Sequence, residues 1–320
     1  MKKILSLLLG LAFTLSGCAV SGEFAPAPTN AATIQLPDKI TKGNAGIPSI
    51  KVYIVDTEKT ETMDIETYVA GVLAGEMKND WPMEALRAQA ILARTFVLKF
   101  LLEKQSRYGG ADISTDIEEA QAYNAKDVND RILQAVKSTE GMVLSAGGTL
   151  PYAWFHAHSG GMTALAREGL GYDNVEPAYT LIAKGQDSSK APEDAKTWSA
   201  AFTKKEILAA LEKTGLTIDS LSALTIARRG DSGRATLLNI NNAHEVSTPD
   251  FRIALGSTKM RSTLLTSLRL QGDSVLMAGK GYGHGVGMPQ WGAYQLAEEG
   301  KKAEEIIMTY FEHVEIVKVW

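Results

Sequence analysis

Cysteine occurs once in this chain of 320 residues, at position 18. A single thiol excludes any intramolecular disulfide and any metal cluster built on cysteine pairs, so stability must come from the size of the core. A basic run is missing too: 33 Lys and Arg stand against 37 Asp and Glu, a formal charge of −4. That balance argues against nucleic acid as a partner and against electrostatic docking on anionic lipid or teichoic acid. The longest apolar run, residues 4–15, is too short to span a bilayer. No segment repeats at a solenoid period.

What is present begins with that apolar run. Lys2 and Lys3 precede it and Ser16-Gly17-Cys18 follow it, the layout of a secretory signal over residues 1–17. Leu15-Ser16-Gly17-Cys18 matches the lipobox of bacterial lipoproteins, in which the cysteine is acylated and becomes the mature N-terminus; the alternative is an ordinary signal with a chance cysteine. Removing the two lysines takes the charge from −4 to −4 − 2 = −6. About 300 residues then remain, enough for one large domain or two intimate ones. Residues 18–47 are rich in Ala, Pro, Ser, Thr and Gly without apolar period and read as a flexible tether. Residues 48–320 are the expected folded domain.

The stretch 71–100 organises that domain. Met83, Leu86, Ala90, Ala93 and Val97 recur at the spacing of a buried helix stripe. No Gly or Pro interrupts residues 83–103, which predicts a continuous helix of roughly 30 Å. Pro82 suits its first position and Asp80 can cap it. Glu76 is then expected on the loop or strand end that feeds this helix. Met77, Trp81 and Leu73 around it would raise its pKa toward neutrality, as a general acid requires; the alternative role is a helix-entry carboxylate satisfying backbone N–H groups. Glu84, in the first turn, complements the helix dipole. Arg87 reads as a solvated residue and Arg94 as inward-facing.

Two later stretches carry further chemistry. In TLPYAWFHAHSGGMT, His156 and His158 alternate onto one face of a strand, and Ser159-Gly160-Gly161 allow close backbone approach to a ligand. Two histidines can ligate zinc, but the cysteines of a Cys-bearing site are missing, so hydrogen bonding to substrate is preferred and no cofactor is expected. In GYGHGVGMPQWGAYQLAEEG, four glycines within residues 281–287 mark a loop, and Pro289 opens a helix that Gly300 ends. The loop presents Tyr282, His284, Gln290 and Trp291, with Trp291 either stacking on a ligand ring or anchoring the core. A nucleotide reading fails because no βαβ unit with a ribose-binding acid accompanies the glycines. Between these stretches a helix over 204–213, strands over 221–227, 235–240 and 267–276, and a short helix at Asp250-Phe251-Arg252 capped by Gly256 are expected, with His244 in a turn. The fold class is α+β, with helices packed on mostly antiparallel strands.

The run G-x-x-x-x-E-M, then WP-x-EAL-x-AQA, then A-R-T resembles the SpoIID/LytB family of bacterial cell-wall proteins. WFHAHSGGMT (154–163) and GKGYGHGVGMPQWGAYQLAEEGK (279–301) are similar to its later blocks, with Gly233-Arg234, Phe251-Arg252, Leu255-Gly256 and Arg261-Ser262-Thr263 in order between them. Pro289 departs from the family's Ser. The resemblance covers roughly residues 50–315 and implies a peptidoglycan lytic transglycosylase cleaving peptide-stripped glycan strands. Glu76 would be the single catalytic residue, and Arg94, His156, His158, Ser159, Gly160, Tyr282, His284, Gln290 and Trp291 would bind substrate. It also implies an alternative, a non-catalytic glycan-binding enhancer of a cell-wall amidase, over which Glu76 in its E-M context favours the enzyme. A solute-binding lipoprotein is disfavoured by the lack of two-lobed βαβ repetition. The expected location is outside the membrane, anchored through Cys18 and facing the wall.

Overall fold

The computed structural model describes residues 34, 36, 40–42, 46–184 and 186–320; the expected export signal and Cys18 lie outside the described residues. The first sheet combines β1 (Thr41–Lys42), β2 (Pro48–Ile54), β3 (Lys59–Asp64) and β4 (Ile113–Ser114). Its central strand β2 runs antiparallel to β1 and β3 and parallel to β4. Ile34 is buried, and Leu36, Ile40 and Ile47 pack on the same core, so packing reaches into the stretch 18–47 that composition assigns to a tether. Four apolar residues set among Pro, Asp and Gly carry no period, which is why composition hides them.

Asp64 ends β3 and caps α1 (Ile65–Glu76), its carboxylate accepting the Thr67 N–H at 2.7 Å. Glu76 is therefore the end of a helix and not the expected loop or strand end. Buried residues occupy α1 from Ile65 to Ala74 with one gap, at Thr67. A helix covered on nearly all sides has no amphipathic period to read. The following helix α2 (Met83–Glu103) runs unbroken for 21 residues, as the stripe predicts. Pro82 is its N-cap rather than its first residue, and no side chain caps it, Asp80 included. Helix α3 (Asp130–Ser138) and strand β5 (Met142–Ser145) pack on α2. The chain then passes through β6 (Phe155–His156), α4 (Ala166–Leu170) and α5 (Glu193–Lys196).

After Ala183 the chain leaves this main core and builds a second one, from Trp198 to Met277. Here β7 (Thr197–Thr203) pairs with β12 (Ser274–Lys280), which pairs with β11 (Leu265–Gln271), all antiparallel. A second meander joins β8 (Leu224–Arg229), β9 (Ala235–Ile240) and β10 (His244–Ser247). Helices α6 (Lys204–Lys213) and α7 (Thr248–Leu255) cover them. The expected helix at 204–213 is present with those bounds, whereas the single strand expected over 267–276 is a hairpin turning at Gly272-Asp273. His244 opens β10 directly after the turn. Strand β7 escapes sequence reading because Thr, Ser and Ala fill its outward positions.

The chain returns to the main core at β13 (Met288–Pro289), which pairs parallel with β6. Helices α8 (Gln290–Glu298) and α9 (Ala303–Tyr310) then lie on α2, and β14 (Glu315–Lys318) closes antiparallel on β5. Helices packed on small, mostly antiparallel sheets make this an α+β fold. Among the described residues, no helix is long and apolar enough to cross a membrane.

Candidate active site

Two glycines decide what Glu76 meets. A Cβ on Gly75 would stand 2.7 Å from the backbone of Ala122 and Tyr123, and the Tyr123 ring covers Gly71 in the same way. Without side chains there, segment 121–124 lies directly on α1. Asn124 N–H donates to Gly71 O at 2.9 Å, and Ala122 N–H donates to Glu76 Oε1 at 2.8 Å. The second oxygen, Oε2, accepts from the Gln290 side-chain amide at 3.2 Å. Both donors are neutral.

Glu76 is half-buried, with Met77 and Trp81 buried beside it. Burial pushes its pKa up, and the hydrogen bonds from Ala122 and Gln290 offset that in part. The C-terminal pole of α1 acts in the same direction as burial. The carboxyl faces a trough of about 460 Å³ walled by residues 74–80 with Asn124 and Asp127.

Gln290 reaches Glu76 because the glycine loop is docked on the histidine segment. A Cβ on Gly283 would stand 2.6 Å from that of His156, and Gly287 abuts the Trp154 carbonyl. The backbone approach predicted by the glycines is thus to another part of the chain. Tyr282 and His158 exchange backbone hydrogen bonds at 2.9 and 3.0 Å, and Trp291 N–H donates to Ala157 O at 3.0 Å. Trp291 meets Trp81 with ring centroids 4.5 Å apart, and Tyr294 completes the cluster at 5.1 Å from Trp81. Trp291 packs on these aromatics and stays partly exposed next to Gln290.

Of the other expected site residues, Arg94, His156, His158 and Ser159 are buried, and Gly160, Tyr282 and His284 are partly exposed. Arg94 is fully buried; its guanidinium is held by Glu66 at 2.5 Å and by the Met142 carbonyl at 2.9 Å. It orients a carboxylate as expected, but that carboxylate is Glu66, and no surface is left to meet a sugar. His156 Nδ1 lies 3.1 Å from Val286 O, while its Nε2 is buried without a partner among the described residues. His284 sits 5.6 Å from it, ring to ring, and accepts the Val286 N–H at 3.0 Å. Burial first, and neighbouring positive charge second, keep both imidazoles neutral, His156 well below its ordinary value and His284 down at about 3. His158 Nδ1 accepts the Gly160 N–H at 3.0 Å and lies 3.4 Å from Asp187. Burial holds its pKa down against that carboxylate. Ser159 donates its hydroxyl to Asp187, and its carbonyl accepts from buried Arg234 at 2.7 Å. Gly160 packs on the Lys280 backbone. Tyr282 is half-buried with the Arg261 guanidinium 4.9 Å from its ring centroid. Among the described residues, no group of three or more His, Cys, Asp or Glu converges to hold a metal.

Sequence reading missed Ala122, Asp187 and Glu66. Ala122 acts through its backbone and has no sequence signature. Asp187 stands in a polar loop, and Glu66 looks like any first-turn acid. Glu84 is also more tied than a dipole role requires: one oxygen binds Arg87 at 2.6 Å and the other accepts the first N–H of α9, from Ala303, at 3.0 Å. Arg87, expected to be solvated, also donates to Ser138 at 2.9 Å.

A sequence-family profile described as "Stage II sporulation protein" matches residues 53–145, and a profile for a domain of unknown function matches residues 156–287. The chain is 32% identical over 259 residues to an uncharacterised protein of Brachyspira hyodysenteriae, covering 80% of this chain and 67% of that protein. It is 28% identical over 282 residues to stage II sporulation protein D of Bacillus subtilis, covering 84% of this chain and 78% of the relative. A match to the amidase enhancer of the same organism is 28% identical over 284 residues, spanning 75% of this chain and 39% of the enhancer. The chain belongs to the SpoIID/LytB family. Glu76 falls within the first profile, and Gln290 beyond both.

Proposed function

We propose that this protein is a peptidoglycan lytic transglycosylase in which Glu76 serves first as acid and then as base. Family membership supports the coarser half of this reading, a cell-wall-related role in the envelope. The finer half rests on one observation: a carboxyl withdrawn from water, held by two neutral donors, at the edge of an open trough. Such a group keeps its proton to higher pH than an exposed glutamate and can deliver it to the glycosidic oxygen, a poor leaving group until protonated. Hydrolases of glycans need a second carboxylate to attack or to activate water. In the transglycosylase the C6 hydroxyl of the muramic acid unit attacks the anomeric carbon as the bond to the leaving sugar breaks. Glu76, now ionised, takes that hydroxyl's proton, and an anhydro ring closes without water. Ala122 N–H and the Gln290 amide fix the carboxyl plane throughout. Trp291 and Tyr294, partly exposed beside Gln290 and packed on buried Trp81, offer ring faces on which a pyranose can stack.

The match to the amidase enhancer supports the second reading, a glycan groove that acts on a partner enzyme without cutting. Incubating the protein with intact and with peptide-stripped strands and weighing the products separates the two. Anhydro ends are expected; reducing ends would mean a hydrolase, and no products at all would favour the enhancer.

The signal and lipobox support a chain anchored by acylated Cys18. Cys18→Ala is expected to lose lipid labelling and move to the soluble exported fraction; unchanged labelling in the membrane would overturn the anchor.

A further inference from the structure

A second concavity opens along the C-terminal half of α2, a cavity of about 260 Å³. It lies on a different part of the molecule from the trough: the helix rises about 1.5 Å per residue, which sets Phe100 roughly 25 Å along the axis from Met83. One wall is Phe96 and Phe100, and the other is Tyr152, Trp154 and Tyr172. Tyr152 and Trp154 stack with centroids 5.0 Å apart and planes 18° from parallel. Tyr172 stands edge-on to Trp154 at 5.8 Å and 75°. All three rings remain partly exposed. Nothing in the Glu76 site uses them.

The rim carries charge. Lys99 Nζ stands 4.7 Å from the Tyr152 centroid and pairs with Glu103 at 2.7 Å. Glu103 also accepts the Tyr152 hydroxyl at 2.9 Å. Lys104 is exposed and forms no ion pair among the described residues. Two ammonium groups against one carboxylate leave a net positive mouth on an apolar cavity, in a chain whose overall charge is −4.

We propose that this cavity is a second glycan-binding site, taking one pyranose ring of a peptidoglycan strand with the carboxylate-bearing substituent of its muramic acid unit. The choice of strand rests on the function proposed above. A pyranose has an apolar C–H face that lies well against an aromatic ring and a polar edge that needs donors, and this cavity supplies both. An acyl chain would fill the walls and leave the Lys104 ammonium unmatched, since Lys99 already pairs with Glu103. A neutral sugar would use the rings and waste the charge. Two sites on one chain hold a long polymer more firmly than either alone, because the second contact forms at the effective concentration set by the first. A strand long enough to reach both is thereby retained while Glu76 acts.

The test is strand binding by the full chain carrying Glu76→Gln, so that turnover is irrelevant to the readout. Probes are long peptide-stripped strands, the same strands with their carboxylates amidated, and a short oligosaccharide. Without further change the protein is expected to bind long strands more tightly than short ones by about tenfold or more. Tyr172→Ala should abolish that preference, and exposed Lys104→Glu should weaken binding of the carboxylated strands while sparing the amidated ones. Retention of the long-strand preference by Lys104→Glu, with the melting temperature unchanged, overturns the site whether or not Tyr172→Ala folds. Failure of the unmodified cavity to discriminate strand length, with strands still bound, also removes it and leaves the Glu76 trough standing. Absence of any strand binding removes the glycan reading as a whole.

Discussion

The two ends of α1 each carry a glutamate, and they are built to opposite purposes. Glu66, in the first turn, is surrounded by donors: Arg94 at 2.5 Å, Gly141 N–H at 3.1 Å and the Trp320 indole N–H at 3.1 Å. Glu76, in the last turn, has two neutral donors and the wrong end of the helix dipole. The first site fixes a charge in the core; the second makes a charge costly beside an open trough. The same residue type, ten positions apart, becomes a paired anion in the core or a carboxyl whose pKa is pushed up beside a trough, according to what faces it.

The sharpest way to break this contrast is to remove each charge in turn. Glu76→Gln is expected to lower strand cleavage by about 10² to 10⁴, the range of general acid catalysis, with little change in melting temperature. Glu66→Gln leaves Arg94 buried without its counter-ion and should cost about 3–5 kcal/mol of stability in denaturant unfolding. Its folded fraction should still cleave. An exchange of the two signatures, with Glu66 indispensable for turnover and Glu76 for stability, would sink the comparison.

Acid sharpens it next, through the histidines at the far end of the site. His284 has a folded pKa of about 3 and His156 is also depressed, so the folded state refuses protons that the unfolded chain accepts below its ordinary histidine value. Their stabilising contribution is whole above about pH 6.5 and is lost as pH falls toward 3, by up to about 1.4 kcal/mol per pH unit for each. Melting temperatures measured from pH 8 down to pH 5 should fall accordingly, and His284→Gln should flatten the slope. A flat parental profile would mean that these imidazoles are charged when folded.

Smallest is the last residue. Trp320→Phe keeps the packing and removes one N–H from Glu66, which should cost about 1 kcal/mol and leave strand cleavage untouched. A loss several times larger would show that the C-terminus does more than complete the Glu66 cage.

The sequence made α2 legible because its stripe is regular, and it singled out Glu76 as a candidate because the E-M context sits before that stripe. It concealed α1, whose residues are apolar on nearly every side, and with it the fact that Glu76 ends a helix. Gln290 was visible as a site residue, but its contact with Glu76 was not: the partners are 214 residues apart and meet only through the glycine loop's docking on β6. The histidines show contacts that the sequence hides. His156, His158 and His284 stand in motif-bearing stretches beside glycine, which reads as a ligand surface, yet their rings are spent on the junction between those stretches. Charged residues divide in the same way, since nothing in the sequence tells Arg94 which glutamate it will meet.

Residues 290–320 complete both ends of α1, Gln290 reaching Glu76 and Trp320 reaching Glu66. A chain that emerges from its ribosome or export channel N-terminus first therefore carries Glu76 long before it carries the amide that orients it. The second core, placed between them, must also be traversed. A copy clipped before residue 290 keeps Glu76 and the Ala122 N–H but lacks the Gln290 amide, so one of the carboxyl's two donors arrives only with the last tenth of the chain.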